Sequence, residues 1–141
     1  MMKGNAVRKK INLTSNVDPD IVVLADVDML NSVLQNLLSN AIKFTRARGT
    51  VKLEAVEKNN EVEIKVSDTG IGMSKKLLEG LFKIENRKSR RGTQNEGGTG
   101  LGLLLTKEYI EKDGGTLVVK SQIRKGSEFS FNLKKFIRSD K

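Results

Sequence analysis

The sequence of 141 residues predicts an α+β sandwich, in which helices cover one face of a mostly antiparallel sheet. Segments with a period of two come in pairs, which is typical of hairpins, and two segments with a helical period accompany them. Hydrophobic residues make up 37% of the chain and charged residues 30%, enough apolar material to form one core. We expect a single domain over residues 1–141, with frayed ends at 1–9 and 135–141.

A short strand and a long helix are predicted first. The apolar run at 21–24 has strand character and ends before Asp26, a plausible N-cap. Apolar residues then recur at helical spacing up to Thr45. Asn36, Asn40 and Lys43 fall within about 60° of one another on nearly the opposite side. This helix therefore has one apolar face and one polar face.

A hairpin is predicted next, from the alternation in residues 50–57 and 61–67. Its second strand ends in Asp68 and a glycine-containing turn, and residues 74–82 have a short helical pattern. Residues 83–98 have no periodicity and carry five basic and two acidic residues, which predicts a long, functional loop. The face that we expect to be buried carries Val51, Leu53, Ala55, Val62, Ile64 and Val66.

The last elements are a second helix and a second hairpin. The helix is expected from about residue 100 to 112, because Gly114 and Gly115 form a typical helix end. Residues 116–121 and 128–133 alternate as strands, with Phe129, Phe131 and Leu133 facing inward.

Composition and charge exclude several kinds of chemistry. The chain has no Cys and no His, so disulfides, cysteine nucleophiles, Ser-His-Asp triads and imidazole metal ligands are excluded. A bound metal must be a hard cation on oxygen ligands. No apolar run approaches the roughly 18 residues of a membrane span. The net charge of +9 suits an anionic ligand, but aromatic residues are 4% of the chain and none lies in the basic loop, which argues against base stacking.

Two segments carry side chains suited to a nucleotide. Carboxamide oxygens of the polar helix face can ligate Mg²⁺, and Lys43 can meet phosphates, although a solvated helix face explains the same pattern. Asp68 at a strand end can accept a hydrogen bond from an exocyclic amine, with glycines that let a flat ring approach. A plain tight turn is the alternative. An aspartic protease Asp-Thr-Gly would require an almost all-β chain, against which the first helix argues.

The glycine cluster at 97–102 is the third segment. It departs from GxGxxG, because Leu103 and Leu105 stand where the third Gly is needed, and it is no P-loop, because no Lys follows Gly102. A glycine-rich turn that presents N–H groups at a helix start remains, and so does a hinge without a ligand. The basic loop is the fourth segment, either solvated or facing phosphates. Together, in this order, the four segments predict one nucleotide pocket.

Four motifs in this order resemble the boxes of bacterial sensor histidine kinases. Residues 36–45 (NLLSNAIKFT) resemble the N box, residues 68–73 (DTGIGM) the G1 box, residues 81–82 the start of the F box, and residues 98–103 (GTGLGL) the G2 box. The resemblance extends from about residue 10 to 133. It implies the catalytic, ATP-binding domain of such a kinase, with the Bergerat fold of gyrase-type ATPases, and it implies ATP and Mg²⁺ as cofactors.

The resemblance also implies a role for each matching residue. Asn40 is expected to ligate Mg²⁺ with Asn36 assisting, and Lys43 to reach the phosphates. The adenine end of the pocket is expected to comprise Phe44, Asp68, Gly70, Gly72 and Met73. A lid at about 83–99 is expected to close over the phosphates, with Arg87 as the lid arginine and Arg90 and Arg91 as rivals. The phosphate side of the lid is expected to include Gly98, Thr99, Gly100, Leu101 and Gly102.

Asn36 distinguishes among the families that share this fold. Gyrase-like and chaperone-like ATPases and serine-directed anti-sigma kinases carry Glu at this position, where a carboxylate can act as general base. A carboxamide cannot, which favours an acceptor that needs no base, such as a neutral imidazole. The chain has no His. We therefore expect an acceptor His on a dimerisation domain of the same full-length kinase, upstream of residue 1.

Further expectations concern the binding partners and the cellular location of the domain. We expect a downstream response regulator, no contact of this domain with nucleic acid or membrane, a monomeric fragment and a cytoplasmic location. The alternative function is a catalytically silent docking module of the same fold.

Overall fold

The computed structural model describes residues 6, 9–18, 20–21, 23–82 and 102–135. Six strands and three helices lie within these ranges. The strands are β1 (Asn12–Asn16), β2 (Val23–Leu24), β3 (Thr50–Lys58), β4 (Glu61–Asp68), β5 (Val118–Gln122) and β6 (Gly126–Lys135). The helices are α1 (Val27–Lys43), α2 (Lys75–Glu79) and α3 (Gly102–Lys112).

The strands form one sheet in the order β1-β3-β4-β6. Both β5 and β2 also pair with β6. All described pairings are antiparallel except that of β1 with β3, which is parallel. The α+β fold class predicted from the sequence is confirmed. Strand β1 was not predicted, because residues 12–16 (NLTSN) lack a clear alternation and only their pairing with β3 makes them a strand.

The core lies between the sheet and the helices. In β4 and β6, Val62 pairs with Leu133, Ile64 with Phe131 and Val66 with Phe129, and all six side chains are buried. These residues were predicted to face inward, as were Val51, which is buried, and Leu53 and Ala55, which are partly buried. From α1, the core receives Val33, Leu37, Ala41 and Ile42. None of the helices among the described residues is long and apolar enough to cross a membrane.

The ends of α1 and α3 follow local capping chemistry. The Asp26 carboxylate accepts a hydrogen bond from the Met29 N–H at 3.0 Å, so Asp26 caps α1 as predicted. After α3, Gly114 has a φ of +85°, and the Gly115 N–H donates to the Ile110 carbonyl at 2.9 Å. The predicted glycine end of this helix is confirmed, because a left-handed residue lets the chain satisfy the last helix carbonyls.

Two residues at 1–9, where we expected fraying, are packed into the fold. Ala6 and Lys9 retain only 2% and 6% of their exposure, and the Ile11 N–H donates to the Ala6 carbonyl at 2.8 Å. At the other end, Lys135 pairs with Val23. Burial of Ala6 and Ile11 in the core holds Lys9, which lies between them in the chain, against the fold.

Candidate nucleotide-binding site

The polar face of α1 meets the start of α3. The Asn36 Nδ2 donates to the Thr106 Oγ1 at 3.2 Å, and Thr106 is fully buried on α3. A Cβ added to Gly102 would lie 3.7 Å from the Asn36 Oδ1, in ordinary contact. The Thr106 hydroxyl therefore orients the carboxamide so that its oxygen lies beside the first residue of α3. The fold thus brings together residues of the first and last predicted motifs.

Asn40 and Lys43 continue the same face towards the end of α1. Both are partly buried, and the Lys43 Nζ lies 5.1 Å from the centre of the Phe44 ring, in cation–π geometry. Phe44 ends the helix, since its N–H donates to the Asn40 carbonyl at 3.2 Å. The predicted phosphate side and the predicted adenine side are therefore adjacent at this end of α1.

Asp68 ends β4 with its carboxylate held by backbone N–H groups. Its Oδ1 accepts hydrogen bonds from the Gly70 N–H at 2.8 Å and from the Ser127 N–H at 3.1 Å. Hydrogen bonds to an ionised carboxylate are stronger than neutral ones, so they give this side chain a definite orientation. Ser127 is the register partner of Asp68 in β6, which explains why the second donor is in place.

The loop after Asp68 is clamped between α1 and the turn between β5 and β6. The Ile71 N–H donates to the Phe44 carbonyl at 3.0 Å, and the Ile71 carbonyl accepts from the Arg124 N–H at 2.8 Å. Met73, which is buried, donates its N–H to the Ser121 Oγ at 2.8 Å. The backbone of this loop is thus tied on both sides.

The glycines of this loop are required by the protein's own backbone. A Cβ at Gly70 would lie 2.3 Å from the Phe44 carbonyl oxygen, and one at Gly72 2.0 Å from the Gln122 carbonyl oxygen. The sequence suggested that these glycines admit a flat ring. The structure gives them a different reason, because the space that a side chain would fill is occupied by backbone. They shape the loop that carries Asp68.

Several contributors to the site are not indicated by the sequence pattern. Gly126 has a φ of +115°, and a Cβ there would lie 1.9 Å from the Asp68 carbonyl oxygen. Thr106 accepts a hydrogen bond from Asn36 across 70 positions of sequence, and Ser127 donates one to Asp68 across 59 positions. Thr106 could have been noticed as a polar residue that follows three leucines in a helix. Gly126 and Ser127 carry no such signal.

Part of the predicted site lies outside the described residues. This holds for Arg87, Gly98, Thr99, Gly100 and Leu101, and for the basic loop as a whole. From the F box, Phe82 is partly buried, with the Lys107 Nζ 5.8 Å from its ring centre.

The described residues restrict the kind of metal that could be held. Among them, no group of three or more acidic side chains is placed to bind a cation. A metal on the α1 face would have carboxamide oxygens from the protein and would need most of its ligands from elsewhere. This donor set suits Mg²⁺, which keeps several waters and binds through few protein groups when phosphates are present.

Comparison with known proteins defines the class. The family profile described as "Histidine kinase-, DNA gyrase B-, and HSP90-like ATPase" matches residues 25–137, and the chain belongs to this family. The sensor protein GacS of Pseudomonas syringae pv. syringae is 39% identical over 133 residues, which cover 89% of this chain and 15% of GacS. The adaptive-response sensory kinase SasA of Synechococcus elongatus is 37% identical over 127 residues, covering 89% of this chain and 32% of SasA.

Solved structures narrow the class further. The catalytic domain of the histidine kinase ThkA has a TM-score of 0.80 at 26% identity, covering 95% of this chain and 86% of that domain. Full-length ShkA in complex with AMPPNP has a TM-score of 0.77 at 29% identity, covering 97% of this chain and 28% of ShkA. The chain has the Bergerat fold and is an ATP-binding catalytic domain of the sensor histidine kinase type. It spans less than a third of the length of GacS and of SasA.

Proposed function

We propose that this domain binds Mg-ATP and transfers the γ-phosphoryl group to a His on a separate dimerisation domain. One observation carries the proposal: α1 contacts both halves of the candidate site. Its carboxamide face contacts the start of α3 through Asn36, and its last residues contact the loop that follows Asp68. A nucleotide along this helix would have its phosphates at the first contact and its base at the second.

The roles of the residues follow from their chemistry. The Asp68 carboxylate would accept a hydrogen bond from the adenine amine, with Phe44, Gly70, Gly72 and Met73 around it. Lys43 would bind the phosphates as a point charge. Asn40, with Asn36 assisting, would hold Mg²⁺, which neutralises phosphate charge when it is bound.

Positioning and charge neutralisation would supply the catalysis. Asn36 has no basic group, so it cannot take a proton from water or a hydroxyl. A neutral imidazole nitrogen brings its own lone pair, which forms the P–N bond as the bond to the ADP oxygen breaks. Lys43 would hold the phosphates in line for this step, and Arg87 and the 98–102 segment are proposed to cover them.

The remaining partners are proposals of the same kind. Because the chain covers at most 32% of GacS or SasA, other domains of the full-length kinase would carry the acceptor His and the sensor. A response regulator would then receive the phosphoryl group. We place the domain in the cytoplasm, where ATP is available, and expect the fragment to be a monomer.

The test combines the purified chain, radiolabelled Mg-ATP and the separately made His-bearing domain of the same kinase. We expect label on that domain, loss of label with Asn40→Ala, and normal labelling with the control Lys10→Ala, whose side chain is exposed. If the chain binds ATP and labels nothing, it is a silent docking module. If it hydrolyses ATP alone at the rate of a dedicated ATPase, Asn36 does not restrict the acceptor to a neutral imidazole.

A further inference from the structure

Lys9 is a buried lysine bonded to the end of α1. The residue retains 6% of its exposure, and its Nζ donates to the Ile42 carbonyl at 2.9 Å and to the Lys43 carbonyl at 2.8 Å. Lysine is almost never this buried unless its ammonium group is paired. The last carbonyls of a helix have no partner within the helix, and a cation there is favoured by the helix dipole.

The segment around Lys9 holds this side chain in place. Ala6 and Ile11 are buried in the hydrophobic core, and the Ile11 N–H donates to the Ala6 carbonyl at 2.8 Å. The Lys9 ammonium group therefore reaches α1 from an anchored backbone. It connects this segment to the helix across 33 and 34 positions of sequence.

The helix turn that Lys9 contacts carries two predicted site residues. Lys43 supplies one of the bonded carbonyls, and Phe44 follows it directly. The Phe44 carbonyl in turn accepts the Ile71 N–H at 3.0 Å, in the loop that begins at Asp68. Two hydrogen bonds, joined by the peptide unit between Lys43 and Phe44, thus link Lys9 to the loop that follows Asp68.

The end of α1 also has caps from its own chain, besides those from Lys9. The Thr45 Oγ1 donates to the Ala41 carbonyl at 2.7 Å, and the Thr45 N–H donates to the Ile42 carbonyl at 3.3 Å. The contribution specific to Lys9 is orientation, because its two bonds tie the last turn to a separate segment.

We propose that Lys9 is a positioning residue of the nucleotide site: it sets the position of Lys43 and Phe44 relative to the Asp68 loop. This inference rests on the proposed function. Without the ammonium group, the last turn of α1 loses the two hydrogen bonds that Lys9 donates to the Ile42 and Lys43 carbonyls. The position of the Lys43 side chain relative to the loop that follows Asp68 is then less well defined.

The test compares Lys9→Met with Lys10→Met in the 141-residue chain. Both remove one positive charge and keep an unbranched apolar side chain, but Lys10 is exposed. We expect Lys9→Met to weaken Mg-ATP binding about tenfold by calorimetry, equivalent to about 1.4 kcal/mol. Lys10→Met should bind within about twofold of the unsubstituted chain. Lys9→Arg, which keeps the charge and the donors, should restore most of the affinity.

Two further measurements separate positioning from loss of stability. In the nucleotide-free protein, Lys9→Met should shift the amide NMR signals of Phe44 and Ile71, and Lys10→Met should not. Val62→Ala, a core substitution in β4, should lower stability without moving these two signals or the affinity. If Lys9→Met does not fold, Lys9→Gln takes its place. The expected loss of Mg-ATP affinity is then about threefold, smaller than the loss expected for Lys9→Met.

Unchanged Phe44 and Ile71 signals, or binding within twofold in Lys9→Met, overturn the proposal while the proposed function stands. A loss of affinity in Val62→Ala equal to that in Lys9→Met overturns it as well. If the unsubstituted chain does not bind Mg-ATP, the proposed function fails, and the amide signals still decide whether Lys9 controls the end of α1.

Discussion

Replacing Gly70 with Ala tests the way in which the Asp68 loop rests on α1. The new Cβ would lie 2.3 Å from the Phe44 carbonyl oxygen, about 0.7 Å inside the 3.0 Å limit that real Cβ atoms keep. The obstacle is backbone, so the loop itself must move away from α1. That movement disrupts the 3.0 Å hydrogen bond from the Ile71 N–H to the Phe44 carbonyl.

The magnitude follows from these two effects. Overpacking costs about 1–3 kcal/mol and a lost hydrogen bond about 1 kcal/mol, so Gly70→Ala should lower the free energy of unfolding by about 2–4 kcal/mol. Because the Gly70 N–H donates to the Asp68 carboxylate, the displaced loop should also weaken ATP binding at least tenfold.

Gly114 provides a matched control at the end of α3. It has a φ of +85° with no heavy atom within 4 Å of an added Cβ, so Gly114→Ala meets backbone strain without a clash. We expect a loss of about 1 kcal/mol and unchanged ATP affinity. Urea denaturation and calorimetry on both variants measure the two quantities. Gly70→Ala with the stability and affinity of the unsubstituted chain would refute the described contact between the loop and α1.

Substitutions at three other positions probe separate features. Asp68→Asn should weaken ATP binding about 30-fold in calorimetry, since a hydrogen bond to a charged group contributes about 2 kcal/mol, and unchanged affinity contradicts the adenine role. Thr106→Val removes the hydrogen-bond acceptor of Asn36 at nearly constant volume, and it should raise the Mg²⁺ concentration needed for half-maximal ATP binding about threefold. Thr106→Ser keeps the hydroxyl and should leave that concentration unchanged. If both variants show the same Mg²⁺ dependence, Thr106 does not orient Asn36. The hydrogen bond from Lys58 lowers the pKa of Glu63 below its ordinary value of 4.5. This contribution to stability is complete above that value and is lost as the pH falls through the lower pKa of the folded protein. Glu63→Gln should therefore cost less than about 1 kcal/mol at pH 7 and nothing at low pH, as measured by denaturation at both pH values.

The elements that were predicted best depend on contacts within one segment. Helix α1 has its cap and its apolar spacing in consecutive residues, and the alternation of β3 and β4 gives the buried face of each strand. Strand β1 could not be found in this way. Its residues are mostly polar, and they become a strand through parallel pairing with β3, more than 30 positions further along the chain.

The candidate site was likewise predictable only in part. The residue types that suit a nucleotide were visible in the sequence, because Asn36, Asn40, Lys43 and Asp68 lie in motifs with regular spacing. Their orientation was not visible. Thr106 turns the Asn36 carboxamide from a helix 70 positions away.

The sequence by itself therefore determined the helix face, the hairpins and the set of chemical groups, since each arises from neighbours a few residues apart. Only the tertiary structure decided where those groups lie relative to one another. The contacts responsible, including the bonds of Lys9 to the end of α1, form between segments whose distance in space cannot be read from their distance in sequence. Burial in a common core brings such segments together, and it is a property of the whole fold.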